Sequence, residues 1–505
     1  MNVLFIDTPS LSGCAHEDGG VGLPAPNMGI MYMAACLKER AKATVKVLDL
    51  LAANLSFEDL GDEIRRFNPD LVGITSKTFN VLAAYEIAAL AKRTCPNAFV
   101  LLGGAHATAL PEFTLDECRY LDAVALGEGE HTIMEVHERL ACGYTASEDV
   151  FQGVDGIVWR EASGGVTDNG PRGPITDLDS LPFPDLSLVD YRTYTKLYNA
   201  ENHKFQPVYS VFASRGCPFN CTFCMPLLTR RYRVREVESV IEEVELLHHN
   251  HGARRIYFED SLFGASKAWF ERFCELFMKR GLHKKVHWGF ETRIDTSAEA
   301  SFKLAKAAGC IYTFFGVESG CEHVLEKARK NYQREDIIRR TEAARAAGIA
   351  QVHVSIILGL PYETKQTIEE TFRLLDEIPY HWAHIHLLDV YPGTQVFEMA
   401  DRGEGGLRWI EGKRMNWDAY ARGTPMVEVN DLNAEDLTNA RAKAIAIRSE
   451  VSNKSRGFRF RRSVARAIDL AKTDRAQFRK NLKSAIRDTF SGFRSKIWNR
   501  WAGML

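Results

Sequence analysis

The run Ser214-Arg215-Gly216-Cys217-Pro218-Phe219-Asn220-Cys221-Thr222-Phe223-Cys224 places three thiols within eight residues, spaced C-x3-C-x2-C. Thiolates are the usual protein ligands of iron–sulfur clusters. A cubane cluster has four irons, and three cysteines hold only three of them. The fourth iron stays open to a small molecule, so the spacing points to a reactive cluster rather than a closed electron carrier. Gly216 and Pro218 suit a tight loop leaving the strand-like run Val208-Tyr209-Ser210-Val211-Phe212-Ala213. A structural zinc site needs four ligands, and no second C-x2-C pair or obvious histidine partner lies nearby. A disulfide framework does not suit a long chain without a secretory signal. Chance clustering among the 11 cysteines is the remaining bland reading.

Outward from this loop, toward the C-terminus, strands and helices alternate over residues 203–425. Arg255 to Asp260, Val286 to Arg293, Tyr312 to Gly320, Val352 to Pro361 and His384 to Thr394 read as strands. With the strand before the cysteines they make six β/α units, a partial (β/α)6 barrel. Barrels of this kind carry function at the carboxyl ends of their strands. Those ends are polar here: Glu259 and Asp260, Arg293, Glu318 and Ser319, Gly359 and Glu363, and Tyr391. A single charge there is solvated surface; charges that repeatedly close apolar strands suggest a lined site.

Toward the N-terminus, residues 1–145 alternate five strands with helices, which implies a parallel, doubly wound, flavodoxin-like sheet. Such sheets bind ligands beyond the carboxyl ends of their strands. Gly103-Gly104-Ala105-His106-Ala107-Thr108 and Gly127-Glu128-Gly129-Glu130 both follow strands and precede helices. Glycine there lets backbone approach a ligand; tight turns without a ligand are the alternative. Residues 146–202 are dense in Gly and Pro and read as a connector with a small hairpin at Gly156–Arg160 and Gly165–Thr167.

The cysteine run resembles the signature of the radical SAM superfamily. In that superfamily the open iron of a [4Fe-4S] cluster binds the amino and carboxylate groups of S-adenosylmethionine (SAM). The N-terminal half resembles the cobalamin-binding domain of one large subclass, in which the G-G-x-H-x-T and G-E-G-E loops line the corrinoid. The resemblance covers about residues 1–425. It implies that Cys217, Cys221 and Cys224 hold the cluster. Glu259 or Asp260 would meet the SAM ammonium, Arg293 its carboxylate, Glu318 with Ser319 its ribose, and the strand at Gly359 its adenine. Gly103, Gly104, His106, Thr108, Gly127, Glu128 and Gly129 would face cobalamin. The sequence departs from other cobalamin proteins in lacking D-x-H-x-x-G, which leaves the lower cobalt ligand open, His106 being the nearest candidate. The acidic motif Phe258-Glu259-Asp260 also departs from the G-G-E form.

The implied chemistry is reductive cleavage of SAM to methionine and a 5′-deoxyadenosyl radical, most often for methyl transfer to an unactivated carbon. A flavodoxin or ferredoxin would supply electrons. A non-methylating cyclase or oxidase acting on a tetrapyrrole-type substrate is one rival. A corrinoid- or metal-binding regulator without turnover is another, which the three-cysteine loop argues against.

Composition sets the remaining bounds. With 45% hydrophobic and 26% charged residues, the chain is an ordinary globular sequence. Scattered cysteines and an N-terminus that reads as a strand point to the cytoplasm. Residues 456–505 carry 14 Lys and Arg against 3 Asp and Glu, net +11, whereas residues 1–455 carry 50 against 63, net −13. In that tail Phe478, Leu482, Ile486, Phe490, Phe493, Ile497 and Trp501 recur at three- or four-residue spacing, the pattern of a basic amphipathic helix. Such a helix suits the surface of an anionic membrane, and with it a lipid-like substrate, or docking on the acidic body of the chain. No nucleic-acid module accompanies it, so a nucleic-acid partner is not expected. Residues 426–505 as a whole read as a helical extension.

Overall fold

A computed structural model describes residues 1–9, 25–191, 193–194, 207–225, 230–296 and 299–451. The basic tail lies outside them.

The N-terminal half is built on the strands β1 (Asn2–Asp7), β2 (Thr44–Asp49), β3 (Leu71–Thr75), β4 (Phe99–Gly103), β5 (Ala123–Ala125), β6 (Ile157–Arg160) and β7 (Val166–Asp168). They form one sheet in the order β2-β1-β3-β4-β5-β6-β7. The first five are parallel, and β6 and β7 are antiparallel additions. Side chains alternate between two apolar layers. Val3, Phe5 and Leu101 pack with Ile30, Leu37 and Ile133 on one face. Leu4, Val72, Ile74 and Leu102 pack with Leu60, Ile64 and Ile87 on the other. Helix entry is set locally: Ser56 and Asp59 close a capping box at the start of Phe57–Phe67, and Asn68 ends that helix in the left-handed region. The hairpin expected within the connector belongs to this sheet. β6 pairs Trp159 with Ala123 and so satisfies the backbone groups that the short edge strand β5 would leave open.

The second half contains β8 (Tyr209–Val211), β9 (Ser214–Arg215), β10 (Arg233–Val234), β11 (Arg255–Phe258), β12 (His287–Arg293), β13 (Cys310–Glu318), β14 (Gln351–Leu358) and β15 (Trp382–Leu387). A six-stranded parallel sheet runs β15-β14-β13-β12-β11-β8. β8 and β15 each have one neighbour, so the barrel is partial. The cysteine loop lies between β9 and β10, which pair antiparallel as a short ribbon. Phe258, Trp288, Phe290 and Phe315 point outward and are buried against the helices, with Phe263, Phe273 and Phe277 closing an aromatic cluster. A hairpin, β16 (Leu407–Trp409) with β17 (Val427–Val429), and a helix over 434–451 follow. Among the described residues no helix is long and apolar enough to cross a membrane.

Candidate active site

Gly216, with φ of 82°, turns the chain out of β9 into the cysteine loop. Cys221 is buried, Cys217 is half-buried and Cys224 is exposed at the rim. Desolvation, with Cys221 and Cys217 close by, pushes the Cys224 thiol up to about 11. Among the described residues no three His, Cys, Asp or Glu side chains converge tightly enough for a single metal ion. A cubane needs its thiolates at separate corners rather than on one point. Arg293 Nη1 donates to Cys221 Sγ at 3.4 Å, and its guanidinium lies 3.8 Å from the Phe219 ring centroid. Lys330 Nζ lies over the Phe223 ring at 5.6 Å. On this donor set the loop fits a cluster.

The strand ends have divided roles. Asp260 is buried behind the loop, where Ser214 Oγ and Ala213 N (3.2 Å) donate to it, and desolvation raises its carboxyl to about 7. It braces the base of the cysteine loop. Glu259 is half-buried on the inner side, accepts from Ser210 Oγ, and is raised chiefly by desolvation. Glu318 sits at φ of 69°, accepting from Lys330 Nζ at 2.8 Å and Ser355 Oγ at 2.6 Å. Burial opposes the Lys330 charge, but Glu318 more than offsets this and raises its pKa. Gly316 makes room for the pair: a Cβ there would stand 2.5 Å from Glu318 Oε1 and 3.0 Å from Lys330 Nζ. Ser319 turns away toward the helix Lys365–Glu377, with its Oγ accepting from Cys321 N at 3.2 Å and 3.3 Å from Thr371 Oγ1. Gly359 lies under Leu437 and Leu388, and Glu363 accepts from its N–H at 2.5 Å. Arg293 is engaged throughout, with Asp295 (2.9 Å twice) and the Lys330 carbonyl (2.6 Å) besides Cys221.

In the first half, Gly104 has φ of 97°, and a Cβ there would stand 2.4 Å from the Ser76 carbonyl oxygen, so only glycine fits. Gly103 ends β4 beside it. Thr108 Oγ1 accepts from Gly127 N at 3.1 Å and ties the two glycine loops together. Gly127 is exposed, with open space for 4 Å around the point where a Cβ would stand. Gly129 lies against Met33. Glu128 and Glu130 point the other way: Glu128 accepts from Arg215, Arg233 and the Ile175 N–H, and Glu130 accepts from Arg215. The Glu128 side chain is thus committed to the cluster ribbon, and the loop offers a cofactor its backbone. His106 is fully buried, edge-on to Trp417 at 4.8 Å between centroids, and neither ring nitrogen has a partner among the described residues. Desolvation lowers it to about 4, so the imidazole is neutral. An orphaned neutral imidazole beside an open glycine loop fits a corrinoid-binding face. Lys77, exposed after β3, acts electrostatically on both Asp7 at the end of β1 and Glu259 at the end of β11. The ring of His106 against Trp417, the bond from Trp417 Nε1 to Glu117 and the approach of Ala109 to Gly393 bring the carboxyl ends of the two sheets together.

Lys330, Lys77, Arg215, Arg233, Ser355 and Trp417 escaped the sequence reading. Only Arg215 carried a signal, its place two residues before Cys217.

A partial barrel with a three-thiol loop, joined to a flavodoxin-like domain whose glycine loops face it, is the build of a radical SAM enzyme with a corrinoid domain. The B12 binding domain model matches residues 19–137, and the radical SAM superfamily model matches residues 211–375. An uncharacterized methyltransferase of Pyrococcus horikoshii is 32% identical over 449 residues, covering 88% of this chain and 91% of that protein. The anaerobic magnesium-protoporphyrin IX monomethyl ester cyclase of Cereibacter sphaeroides is 28% identical, covering 80% and 64%. The structure of the radical SAM methyltransferase TsrM from Kitasatospora setae, with cobalamin and a [4Fe-4S] cluster bound, superposes with a TM-score of 0.67 at 18% identity, covering 88% of each chain. The chain belongs to the cobalamin-binding radical SAM enzymes, whose cofactors are a [4Fe-4S] cluster, SAM and cobalamin.

Proposed function

We propose that this enzyme transfers a methyl group from SAM to an unactivated carbon of a complex or lipid-like small molecule. The observation that carries the reading is the meeting of the two halves at their strand ends: the cysteine ribbon is bonded to the G-E-G-E loop, and His106 and Ala109 lie against Trp417 and Gly393. When bound, the cluster, SAM and cobalamin supply the electron, the radical and the methyl group. The protein's task is to hold them in register and exclude water.

Cys217, Cys221 and Cys224 would hold the cluster, with Arg293 donating to the Cys221 sulfur. Glu259 would accept from the SAM ammonium while Asp260 keeps the loop in place. Glu318, oriented by Lys330 and Ser355, would accept from the ribose hydroxyls, and the turn at Gly359 would border the adenine. Gly103, Gly104, Thr108, Gly127 and Gly129 would line the corrinoid with backbone and small side chains, and His106 would lie on its protein side. A flavodoxin or ferredoxin would deliver the electron.

Anaerobic protein with reconstituted cluster, cobalamin, reductant and methyl-deuterated SAM tests the reading. Label on the corrinoid together with S-adenosylhomocysteine supports methyl transfer. Deoxyadenosine alone favours the second reading, a cyclase or oxidase on a tetrapyrrole-type substrate, which the similarity to the Cereibacter sphaeroides cyclase supports. No SAM turnover at all would leave a binding protein. The basic tail is proposed as a peripheral membrane contact; unchanged liposome flotation after truncation at residue 455 would remove that part.

A further inference from the structure

The G-E-G-E loop has two faces. The backbone at Gly127 is exposed, and the carboxylates of Glu128 and Glu130 run into the protein toward the cysteine ribbon. Arg215, two residues before Cys217, places Nη1 3.3 Å from Glu128 Oε1 and Nη2 2.7 Å from Glu130 Oε1. Arg233, paired with Arg215 across β9 and β10, places Nη1 2.8 Å from Glu128 Oε2. The Ile175 N–H gives Glu128 Oε2 a further bond at 2.7 Å, and Tyr32 lies beneath the Arg215 guanidinium at 4.9 Å. Every charged side chain in the group is at most 7% exposed. Burial opposes the charge on Glu128, yet the arginines and the Ile175 N–H hold its carboxyl below its usual range.

Buried ion pairs contribute little net stability over apolar packing of the same volume, whereas a half-broken pair is costly. Their use is geometric: Arg215 bridges Glu128 and Glu130 with its two Nη atoms, and Arg233 Nη1 reaches the second oxygen of Glu128, so the four side chains tie the two loops at three points. Here that arrangement joins the loop of one domain to the stem of the loop of the other. On the far side, Asp260 holds the same stem through Ser214 and Ala213. The cysteine loop is gripped between both sheets.

We propose that Glu128, Glu130, Arg215 and Arg233 are positioning residues that set the separation between corrinoid and cluster. This rests on the functional reading above. With the cofactors loaded and a reductant present, bound SAM would either methylate the corrinoid at the cob(I)alamin level, leaving S-adenosylhomocysteine, or be cleaved by one electron from the reduced cluster, leaving methionine and, after hydrogen abstraction, deoxyadenosine. Both outcomes need the sulfonium within reach of a different cofactor, and a displacement of about 1 Å can cost about a hundredfold in rate.

The test uses full-length Glu128→Gln, which keeps the shape and removes the charge, with cluster and cobalamin loaded. Pulsed EPR between the reduced cluster and cob(II)alamin reads their separation. Mass spectrometry reads the ratio of S-adenosylhomocysteine to deoxyadenosine. We expect a broadened or shifted distance distribution and a product ratio changed by about tenfold or more. An unchanged distance and ratio overturn the proposal, as does a parallel loss of both products at unchanged distance, which marks a merely structural role. If Glu128→Gln does not fold or load, Glu130→Gln, which cuts only the Arg215 Nη2 contact, takes its place. The same two readouts apply, a smaller shift is expected, and the same results overturn the proposal. Wild-type protein that forms no S-adenosylhomocysteine defeats the functional reading instead; the EPR distance then decides the positioning claim alone.

Discussion

Both halves of the molecule are parallel sheets wrapped in helices, yet their strands are used oppositely. In the first sheet both faces are apolar: Val3 and Leu101 look one way, Leu4 and Leu102 the other, all with at most 2% exposure. A parallel sheet covered on both faces reads as continuous hydrophobic sequence, and a ligand can meet it only at its ends. In the second sheet only the outer face is apolar. The inner face carries Tyr257, Glu259, Glu291, Tyr312, His353 and His384, all partly exposed. They contact one another: Tyr257 donates to Glu291, the Tyr312 and His353 rings lie 4.6 Å apart, and His353 Nδ1 is 3.2 Å from His384 Nε2. A complete barrel fills its interior with branched apolar side chains. This one keeps a polar lumen, which suits a polar ligand inside the barrel. One sheet is a platform and the other a container.

The sharpest way to break that contrast is at the cysteines. Cys217→Ala should abolish SAM cleavage, measured as deoxyadenosine, while the unfolding free energy of the cluster-free protein changes by less than about 1 kcal/mol, because the half-buried thiol supports little packing. A large loss of stability would mean that the loop belongs to the core. Next, Leu102→Ala in the platform should cost about 2–5 kcal/mol in denaturant unfolding, since Leu102 is 0% exposed. Half-exposed Phe314 in the container should cost less when cut to alanine, and equal losses would erase the distinction.

Glu363 gives a pH test. It is fully buried, its Oε1 has no partner among the described residues, and desolvation raises its carboxyl to about 8. The fold therefore favours the protonated acid. Its contribution to stability is complete below the ordinary carboxyl pKa of about 4.5 and is lost as pH rises through about 8. Glu363→Gln stays neutral, so its melting temperature should fall less than wild type across that window, by the equivalent of a few kcal/mol at most. Parallel pH profiles would show that Glu363 is charged in the fold. The smallest effect belongs to the lumen: Tyr257→Phe leaves the half-buried Glu291 short of one donor, costing about 1–2 kcal/mol. Its signature should be a raised KM rather than lost expression. An unchanged KM would place the ligand away from this wall.

The polar strand ends were legible because a charge closing an apolar strand stands out in one dimension. Their division of labour was not. Glu259 and Asp260 are adjacent letters, but alternation along a strand sends one into the lumen and seals the other behind the cysteine loop. The pairing of Glu318 with Lys330 was hidden for another reason. Lys330 follows the helix Glu322–Lys327 in a stretch with no pattern of its own, and only the fold returns it to the strand.

What the amino-acid order determined by itself is local: the three-thiol spacing, the alternation of strands and helices, the glycines at loop positions that tolerate no side chain, and the basic composition of the tail. These depend on neighbours a few residues apart, through ligand reach, backbone sterics and periodicity. What only the tertiary structure decided is which groups meet across the two sheets. Glu128 and Arg215 are 87 residues apart, and Trp417 reaches Glu117 across 300. A buried charge must find its counterion wherever packing brings one, and packing depends on the whole fold, so no local stretch of sequence specifies that choice.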